Sequence, residues 1–334
     1  MNFTLPPLGC GKFSLTVLRT DCGRVVKVLH PTLPPHRLRR EIYCNVAAKA
    51  ANPGVSLEAV RVVHLLSGLD VTVDVTAPGY HEALAKLPDL KRSLVLLVYA
   101  PSPPAHPLSR YPPPLPSSNS TAPLHLLPGI FSAVSSRLSA LHALPLAHRD
   151  LKPSNLLPAA LIDFGQSLPL AEVEGKQNPA VGTTTYKAPE QLMLPARGEK
   201  YTLGCFASYS LYDPATADVY SAGASFLNIL GRVVSGRGLI SGRERGKVLE
   251  CVEGFLGTLG EPVGEDVFVR RVARELRRRG AGWGMLGREE RALVRRLLRP
   301  IYRMMAMQVN ANGEYKRGSL EQAAEAFRKS GRGK

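Results

Sequence analysis

Short aliphatic and β-branched runs alternate with turns over the first hundred residues, a pattern typical of a strand-rich region. The runs that predict strands are 15–18, 25–29, 60–66, 71–75 and 94–98. One stretch with helical periodicity, at about 35–51, interrupts them. The pattern therefore predicts a small antiparallel sheet with one helix in residues 1–100.

A proline-rich segment, residues 101–123, follows this region. Because proline lacks an amide proton and fixes φ, so many prolines exclude a regular helix or a central strand. We interpret the segment as an extended surface insertion between two lobes. A ligand for a proline-binding partner domain is the alternative interpretation.

Apolar residues recur at helical spacing in most of the remaining chain. The predicted helices cover 126–144, 219–234, 246–259, 267–279, 289–307 and 320–329. Residues 124–310 therefore form a mainly helical region, and residues 311–334 form a basic C-terminal helix and tail. The predicted fold class is α+β, with a small sheet lobe followed by a larger helical lobe.

Composition narrows the functional classes. The chain of 334 residues has no apolar run near the ~20 residues needed to span a bilayer, so we expect no membrane segment. The start of the chain lacks the basic and apolar parts of a secretory signal, which predicts an intracellular protein of the cytoplasm or nucleus. Five scattered cysteines without a Cys-x-x-Cys pair argue against a disulfide framework or a zinc site.

The net charge of +16 comes largely from arginines between residues 270 and 334. Such a surface attracts acidic proteins or nucleic acid through its long-range field. The alternative is a solvated helical face without a specific partner. Because no zinc finger or aromatic RNA-binding platform accompanies the arginines, the sequence favours acidic protein substrates over nucleic acid.

Residues 148–165 contain the most informative motif. A carboxylate, a cation, an amide and a second carboxylate follow one another within a short stretch, and the residues are Asp150, Lys152, Asn155 and Asp163. Oxygen ligands for magnesium beside a positioned base suit phosphoryl transfer, which depends mainly on positioning and charge neutralisation. A run of polar loop residues is often only solvated, but the spacing here is specific.

The order His-Arg-Asp, Lys, Asn, Asp-Phe-Gly at 148–165 resembles the catalytic segment of the eukaryotic protein kinases. The resemblance implies a two-lobed kinase fold that binds ATP and Mg²⁺ and phosphorylates serine or threonine in proteins. It implies that Asp150 is the catalytic base and that Lys152 stabilises the transferring phosphate. It also implies that Asn155 and Asp163 ligate the metal.

The same resemblance extends to the nucleotide-binding lobe. The segment 8–16 is similar to a glycine-rich phosphate loop, although Ser14 and Thr16 depart from the pattern, and an ordinary hairpin is the alternative. Lys27 resembles the phosphate-binding lysine, and Glu41 in the only predicted helix is its expected partner, ahead of Glu58 and Glu82. The residues expected to contact ATP are Leu8, Gly9, Gly11, Phe13, Val25, Lys27, Leu97, Tyr99, Ala100 and Leu157.

Within that set, the resemblance places Leu97 at the back of the adenine pocket and Leu157 beneath the adenine. Residues 98–100 would form the hinge that binds the base through its backbone. A plain core strand that enters a loop is the alternative interpretation.

Further positions match the segment that ends a kinase activation loop. Thr183 is expected to hydrogen-bond Asp150 and Lys152, and Asp218 is expected to brace the backbone of the catalytic loop. Arg303 would be the buried partner of Glu190.

Two spacings depart from the family. Only 163 − 155 = 8 positions separate Asn155 from Asp163, which predicts a shortened strand pair with a reversal at 158–160. The long interval between Glu190 and Asp218 implies an insertion at about 197–212.

Regulation is suggested by an absence in the sequence. No serine, threonine or tyrosine lies between Leu168 and Val181, so we expect activity without phosphorylation of this segment. Arg149 would then meet Glu172 or Glu174. The alternatives are a pseudokinase scaffold and a small-molecule phosphotransferase. The composition further suggests a divergent, compact kinase of a large DNA virus.

Overall fold

The computed structural model describes most of the chain in separate ranges. These are residues 3–11, 14–20, 24–29, 34–52, 57–67, 69–86, 93–99, 107–111, 121–158, 160–170, 181–188, 191, 213–235, 264–279, 281–306, 308–309 and 315–332. The chain divides into two units. The first comprises Met1–Ala105 with Asp163–Ser167, and the second comprises His106–Ile162 with Leu168–Lys334.

The first unit contains a six-stranded antiparallel sheet in the order β1-β2-β3-β6-β4-β5. Its strands are β1 (Phe3–Gly11), β2 (Ser14–Thr20), β3 (Val25–Leu29), β4 (Leu57–His64), β5 (Asp70–Asp74) and β6 (Ser93–Tyr99). The sequence did not predict β1, which contains Pro6 and Pro7. Because β1 is an edge strand with irregular pairing between Thr4 and Gly9, the prolines are tolerated there.

Strand β4 is shifted relative to the predicted run 60–66, because it begins at Leu57. It ends at His64, and the predicted strand residues Leu65 and Leu66 lie exposed in the turn that follows. The apolar run continued past the last paired residue, so composition alone placed the boundary two residues too late.

Helix α1 (Pro35–Ala47) packs on the sheet through Leu38 and Ile42, which share one core with buried residues of β4 and β6. It ends four residues before the predicted boundary. A second helix, α2 (Tyr80–Ala85), corrects the prediction of a single helix in this lobe. Since α2 spans six residues and has no buried residue, it leaves no helical periodicity to detect.

The second unit is mainly helical, as predicted. Its helices are α3 (Ala122–Ala143), α4 (Pro214–Ser235), α5 (Glu265–Arg279), α6 (Ala281–Met285), α7 (Arg288–Met305) and α8 (Leu320–Gly331). The short α6 was not predicted, and the predicted helix 246–259 lies outside the described residues. Together with the sheet of the first unit, these helices confirm the α+β class.

An aromatic cluster of Phe131, Phe226 and Phe327 joins α3, α4 and α8. The ring centroids lie 4.3 Å apart for Phe131 and Phe226, and Phe327 meets these two rings edge-on at 5.4 and 5.5 Å. All three rings are fully buried. The C-terminal helix is therefore part of the helical core.

Short strand pairs flank the predicted catalytic segment. Strands β7 (Leu146–Ala147) and β10 (Leu168–Pro169) pair antiparallel, as do β8 (Leu156–Leu157) and β9 (Ala160–Leu161). The two-residue strands β8 and β9 confirm the predicted shortening. A further pair, β11 (Gln308–Val309) and β12 (Tyr315–Lys316), follows α7.

The proline-rich segment is only partly described, and two of its features differ from prediction. Leu108 is fully buried in a single 3₁₀ turn, and Arg232 of α4 donates to the Ser109 carbonyl, so this part is packed rather than a surface excursion. Pro123 lies in the first turn of α3, where proline is tolerated. Residues 101–106 and 112–120 lie outside the described ranges.

Among the described helices, none combines the length and the apolar character required to cross a lipid bilayer.

Candidate active site

Three predicted residues meet inside the first unit. The Lys27 ammonium donates to Oε1 of Glu41 at 2.5 Å and to Oδ1 of Asp163 at 2.7 Å. Lys27 and Glu41 are buried, whereas the Asp163 side chain is 42% exposed. The competing carboxylate Glu58 pairs instead with Arg24, so Glu41 is the carboxylate that the fold brings to Lys27.

The two carboxylates keep Lys27 cationic. Burial acts to lower the pKa of Lys27, but Glu41 and Asp163 together raise the pKa above its ordinary value. Burial raises the pKa of Glu41, and the Lys27 ammonium opposes that rise. A fixed ammonium of this kind suits the binding of phosphate oxygens.

Alternation along β3 aims Lys27 at this cluster. Val26 and Val28 belong to a core on one face of the sheet, and Lys27 lies on the opposite face, where α1 presents Glu41. Asp163 has a left-handed φ of 66°, and Phe164 beside it is buried. A non-glycine residue in this region is strained, and such strain concentrates at functional sites.

A second cluster lies within the second unit, around Asp150. Oδ1 of Asp150 accepts hydrogen bonds from the amide and the hydroxyl of Thr183, both at 2.8 Å. The Lys152 ammonium donates to Oδ2 of Asp150 and to the Thr183 hydroxyl, both at 2.9 Å. These are the contacts that the sequence predicted for Thr183, and they hold the carboxylate in one orientation.

The backbone around Asp150 is braced from α4. Asp218, which is buried, accepts the amide protons of His148 at 2.6 Å and Arg149 at 2.7 Å, as the sequence predicted. These bonds support the left-handed φ of 67° at Arg149. Gly182 has a φ of 91°, and a Cβ there would lie 2.6 Å from the Arg149 carbonyl oxygen, so the approach of the two segments requires glycine.

Sequence reasoning missed two residues near these clusters. His142 places Nε2 3.3 Å from the Asp218 carboxylate, and the buried Asn45 donates through Nδ2 to the Glu41 carbonyl at 2.8 Å. His142 lies in the last turn of the helix that leads to the catalytic motif, which was the available signal. Asn45 follows Glu41 by one helical turn, a spacing that also could have been noticed.

Comparison with known proteins agrees with this geometry. Residues 117–238 match the protein kinase domain family. The chain is 38% identical over 90 residues to the mitogen-activated protein kinase kinase SIPKK of Nicotiana tabacum, covering 23% of this chain and 25% of that protein. It is 33% identical over 129 residues to extracellular signal-regulated kinase 1 of Candida albicans, covering 36% and 26%.

A third relative is the serine/threonine-protein kinase PknF of Mycobacterium tuberculosis, which is 38% identical over 96 residues, covering 25% of this chain and 20% of that protein. The matched part of the chain is similar to eukaryotic-type protein kinases. It spans about a quarter or less of the length of these three kinases. They come from a plant, a fungus and a bacterium, so a viral origin stays a prediction.

The kinase match includes the Asp150 cluster, Asp163 and Asp218, but it begins after Lys27 and Glu41. Recognition of those two residues as parts of a kinase site therefore depends on the geometry of the first unit. Lys27 forms ion pairs with both Glu41 and Asp163, and these pairs supply that support because Asp163 lies inside the matched segment.

The donor set fits magnesium. Asn155 donates through Nδ2 to the Asp150 carbonyl at 2.8 Å, so Oδ1 is its remaining group that can accept a metal. Amide and carboxylate oxygens are donors that Mg²⁺ prefers, and Asn155 in the second unit and Asp163 in the first unit each carry one. Among the described residues, no group of three His, Cys, Asp or Glu side chains is placed to hold a metal ion. When bound, Mg²⁺ neutralises charge on the phosphates.

The remaining predicted nucleotide contacts are placed only in part. Leu8, Gly9 and Gly11 lie in β1, and Gly11 pairs with Ser14 across the β1–β2 turn, whose Phe13 lies outside the described residues. Leu97 and Tyr99 end β6 and are buried. Ala100 also lies outside the described residues.

Val25 and Leu157 also belong to the predicted set, and their contacts with a nucleotide stay predictions. Val25 begins β3 and is partly buried against the core, and Leu157 is partly buried in β8. Ala160, which was predicted to belong to a reversal, pairs in β9.

Arg303 corrects a prediction. Its side chain is 56% exposed and donates to Glu265 of α5 at 2.7 Å, so it is not a buried cation. Arg299 also binds Glu265, and it pairs with Asp266 beside it. Glu172, Glu174, Glu190 and residues 197–212 lie outside the described residues.

Proposed function

We propose that this chain transfers the γ-phosphate of ATP to serine or threonine hydroxyls of proteins. The observation that carries the proposal is the Asp150 carboxylate held by both Lys152 and Thr183. A carboxylate fixed in this way can accept or orient the proton of an incoming hydroxyl. Lys152 beside it supplies positive charge for the transferring phosphate.

The nucleotide is assigned to the residues of the first unit. Lys27, held by Glu41, binds phosphate oxygens, and Asp163 is the proposed metal ligand of this unit. Asn155 is the proposed metal ligand of the second unit. Support for a protein substrate comes from the family match and from a relative named as a serine/threonine-protein kinase.

Substitution of the base tests the proposal. Asp150→Asn retains the shape of the side chain but removes the acceptor charge, so we expect phosphate transfer from radiolabelled ATP to a protein substrate to fall about a hundredfold or more. Nucleotide binding should persist in this variant, whereas Lys27→Met should weaken both binding and transfer.

Asp266→Asn is the matched control, because Asp266 is an exposed carboxylate of the same unit, paired with Arg299. It should retain wild-type turnover. A wild-type protein that binds ATP without transferring phosphate would establish the pseudokinase alternative, and equal turnover in Asp150→Asn would remove the assigned base.

Activity without phosphorylation of the activation segment is part of the same proposal. The segment between Leu168 and Val181 has no hydroxyl side chain, so an upstream kinase has no acceptor there. Protein treated with phosphatase should therefore retain its full rate. A dephosphorylated protein that is inert and recovers only after treatment with an upstream kinase would contradict the proposal.

Acidic proteins are the proposed substrate class. Arg270, Arg274 and Arg277 are exposed on one face of α5, at spacings that place them one above another. Helix α7 exposes further arginines, including Arg295 and Arg296. A dense positive surface of this kind increases the local concentration of acidic partners.

A further inference from the structure

Strand β5 forms the outer edge of the sheet in the first unit. It is last in the strand order, and the described strands give it one neighbour, β4. The bonds at its two ends fix the ladder, since the His64 amide donates to the Leu69 carbonyl at 2.8 Å and the Val75 amide donates to the Glu58 carbonyl at 2.9 Å. Because antiparallel residue pairs are alternately hydrogen-bonded and not, every second residue of β5 turns its main chain away from β4.

The residues whose amide and carbonyl groups point outward are Asp70, Thr72 and Asp74. An open edge of this kind is a template for a further strand. The side chains of these three residues also share one face of the sheet, and all three are exposed. The opposite face carries Val71 and the buried Val73.

A cleft of about 420 Å³ lies beside this edge, between β5 and α2. Its lining comes from both elements and the turn between them, and it includes Val71, Val73, Asp74, Ala77, Tyr80 and Lys86. Most of the lining is apolar, and Tyr80 also packs against the apolar core of the sheet, which holds α2 beside the strand. A groove between an edge strand and a helix suits an extended peptide.

The charge on the outer face of β5 determines which peptide fits. Asp70 is paired with Arg61 of β4, whereas none of the ion pairs among the described residues includes Asp74. Hydrogen bonds from Thr76 lower the pKa of Asp74, so its carboxylate is charged at neutral pH. A basic side chain opposite Asp74 on an added strand would therefore stabilise the pairing.

A second copy of this chain fits the edge poorly. The sequence of β5 is the same in both directions, so antiparallel self-pairing of the whole strand about Thr72 would place Asp70 of each copy opposite Asp74 of the other. Like charges directly opposite each other destabilise a strand pair. The two aspartates therefore protect the edge against self-association but leave it open to a basic strand.

We propose that the β5 edge and the adjoining cleft bind an extended segment of a partner protein in which basic and apolar residues alternate. The segment pairs with β5 as a seventh strand, antiparallel like the other strands of the sheet. Because side chains alternate between the two faces of a strand, the basic ones lie beside Asp74 and the apolar ones enter the cleft. Main-chain hydrogen bonds supply the affinity, and the two sets of side chains supply the specificity.

Fluorescence anisotropy with the full chain tests this site without any need for phosphate transfer. The probe is a short labelled peptide in which lysine alternates with valine, and we expect it to bind with one-to-one stoichiometry. The same peptide with N-methylated lysine amides should bind at least about tenfold more weakly, because the amides that face β5 can no longer donate. N-methylation of the valine amides, which face away from β5, should leave binding near that of the unmodified peptide.

Variants of the strand separate the main-chain edge from the charge. Thr72→Pro removes an outward amide but no bond to β4, so it should weaken binding at least about tenfold, whereas Thr72→Val should retain binding. Asp74→Lys should weaken binding about fivefold. Glu289→Lys makes the same change in net charge at an exposed position of α7 and should leave binding unchanged.

The two N-methylated peptides decide the proposal even if Thr72→Pro does not fold, because they are measured on the wild-type chain. Equal affinity for these two peptides, or no binding of the unmodified probe, would overturn the proposal. Equal weakening by Asp74→Lys and Glu289→Lys would also overturn it, since net charge alone would then attract the probe. A dimer in light scattering that Thr72→Pro dissociates would identify a second copy as the occupant of the edge and would likewise refute a partner segment.

Discussion

At the scale of single residues, one hydroxyl group ties the proposed base to its neighbouring cation. The Thr183 hydroxyl donates to Asp150 and accepts from Lys152. The side chains of Asp150 and Lys152 are partly screened from water. Lys152 also contacts Asp150 directly, so the hydroxyl closes a ring of three charge-assisted hydrogen bonds. The ring fixes the rotamer of the carboxylate, and this determines where its acceptor atoms point.

Removal of this hydroxyl should therefore reduce the rate of the chemical step. Thr183→Val retains the branched shape but loses both side-chain bonds, and a hydrogen bond to a charged group contributes about 1.5–3 kcal/mol. We expect kcat to fall at least about tenfold, with little change in the KM for ATP, in steady-state assays at saturating protein substrate. Thr183→Ser should retain most of the activity because it keeps the hydroxyl.

Thr184→Val provides the comparison, because Thr184 is exposed and lies next to Thr183. If Thr183→Val and Thr184→Val proved equally active, the ring around Asp150 would have no part in turnover.

The residue contacts divide into those that sequence could predict and those that it could not. Thr183 and Asp218 match positions of the kinase pattern, so the resemblance predicted their contacts with the catalytic segment. The packing of Tyr99 in one core with Ile42 of α1 depends on which face of β6 meets the helix. That face is set by strand register across a long stretch of chain, which no local pattern encodes.

At the scale of elements, length and burial determine what the sequence could predict. Four long helices of the second unit, α3, α4, α5 and α7, have a buried face, so their apolar residues recur at helical spacing. The six-residue α2 has no buried residue, and it was missed. Strand β1 was missed because its prolines exclude a central strand but not an edge strand.

The C-terminal helix α8 shows a different limit of sequence analysis. Its basic residues suggested a helix and tail at the end of the chain, yet Leu320, Ala323, Ala324 and Phe327 are buried in the second unit. Periodicity correctly predicted a helix with an apolar face, but it could not identify the neighbour of that face. The aromatic contacts of Phe327 with Phe131 and Phe226 supply that information.

At the scale of the whole molecule, the arginines that contribute to the net charge of +16 differ in their surroundings. Some arginines have structural partners, such as Arg299 and Arg303, which bind Glu265 at the start of α5. Others on the outer faces of α5 and α7 are exposed to solvent. Exposed cations that repel one another lower the stability of the folded state. Binding of acidic protein substrates would explain why these arginines are present.

Charge reversal on α5 tests whether these arginines bind substrate. The triple variant Arg270→Glu, Arg274→Glu and Arg277→Glu should raise the KM for casein, an acidic protein, by about tenfold, because these side chains act through long-range attraction. The kcat should stay near the wild-type value, because they are remote in sequence from the catalytic motif. The difference in KM between the variant and the wild type should shrink as the salt concentration rises from ~0.05 to ~0.5 M, because the Debye length shortens.

Reversal of Arg328, Lys329 and Arg332, which lie on and beside α8, is the control. It makes the same change in net charge elsewhere and should leave the KM near that of the wild type. An equal rise in KM for both triple variants would show that net charge, and not the α5 surface, governs substrate binding.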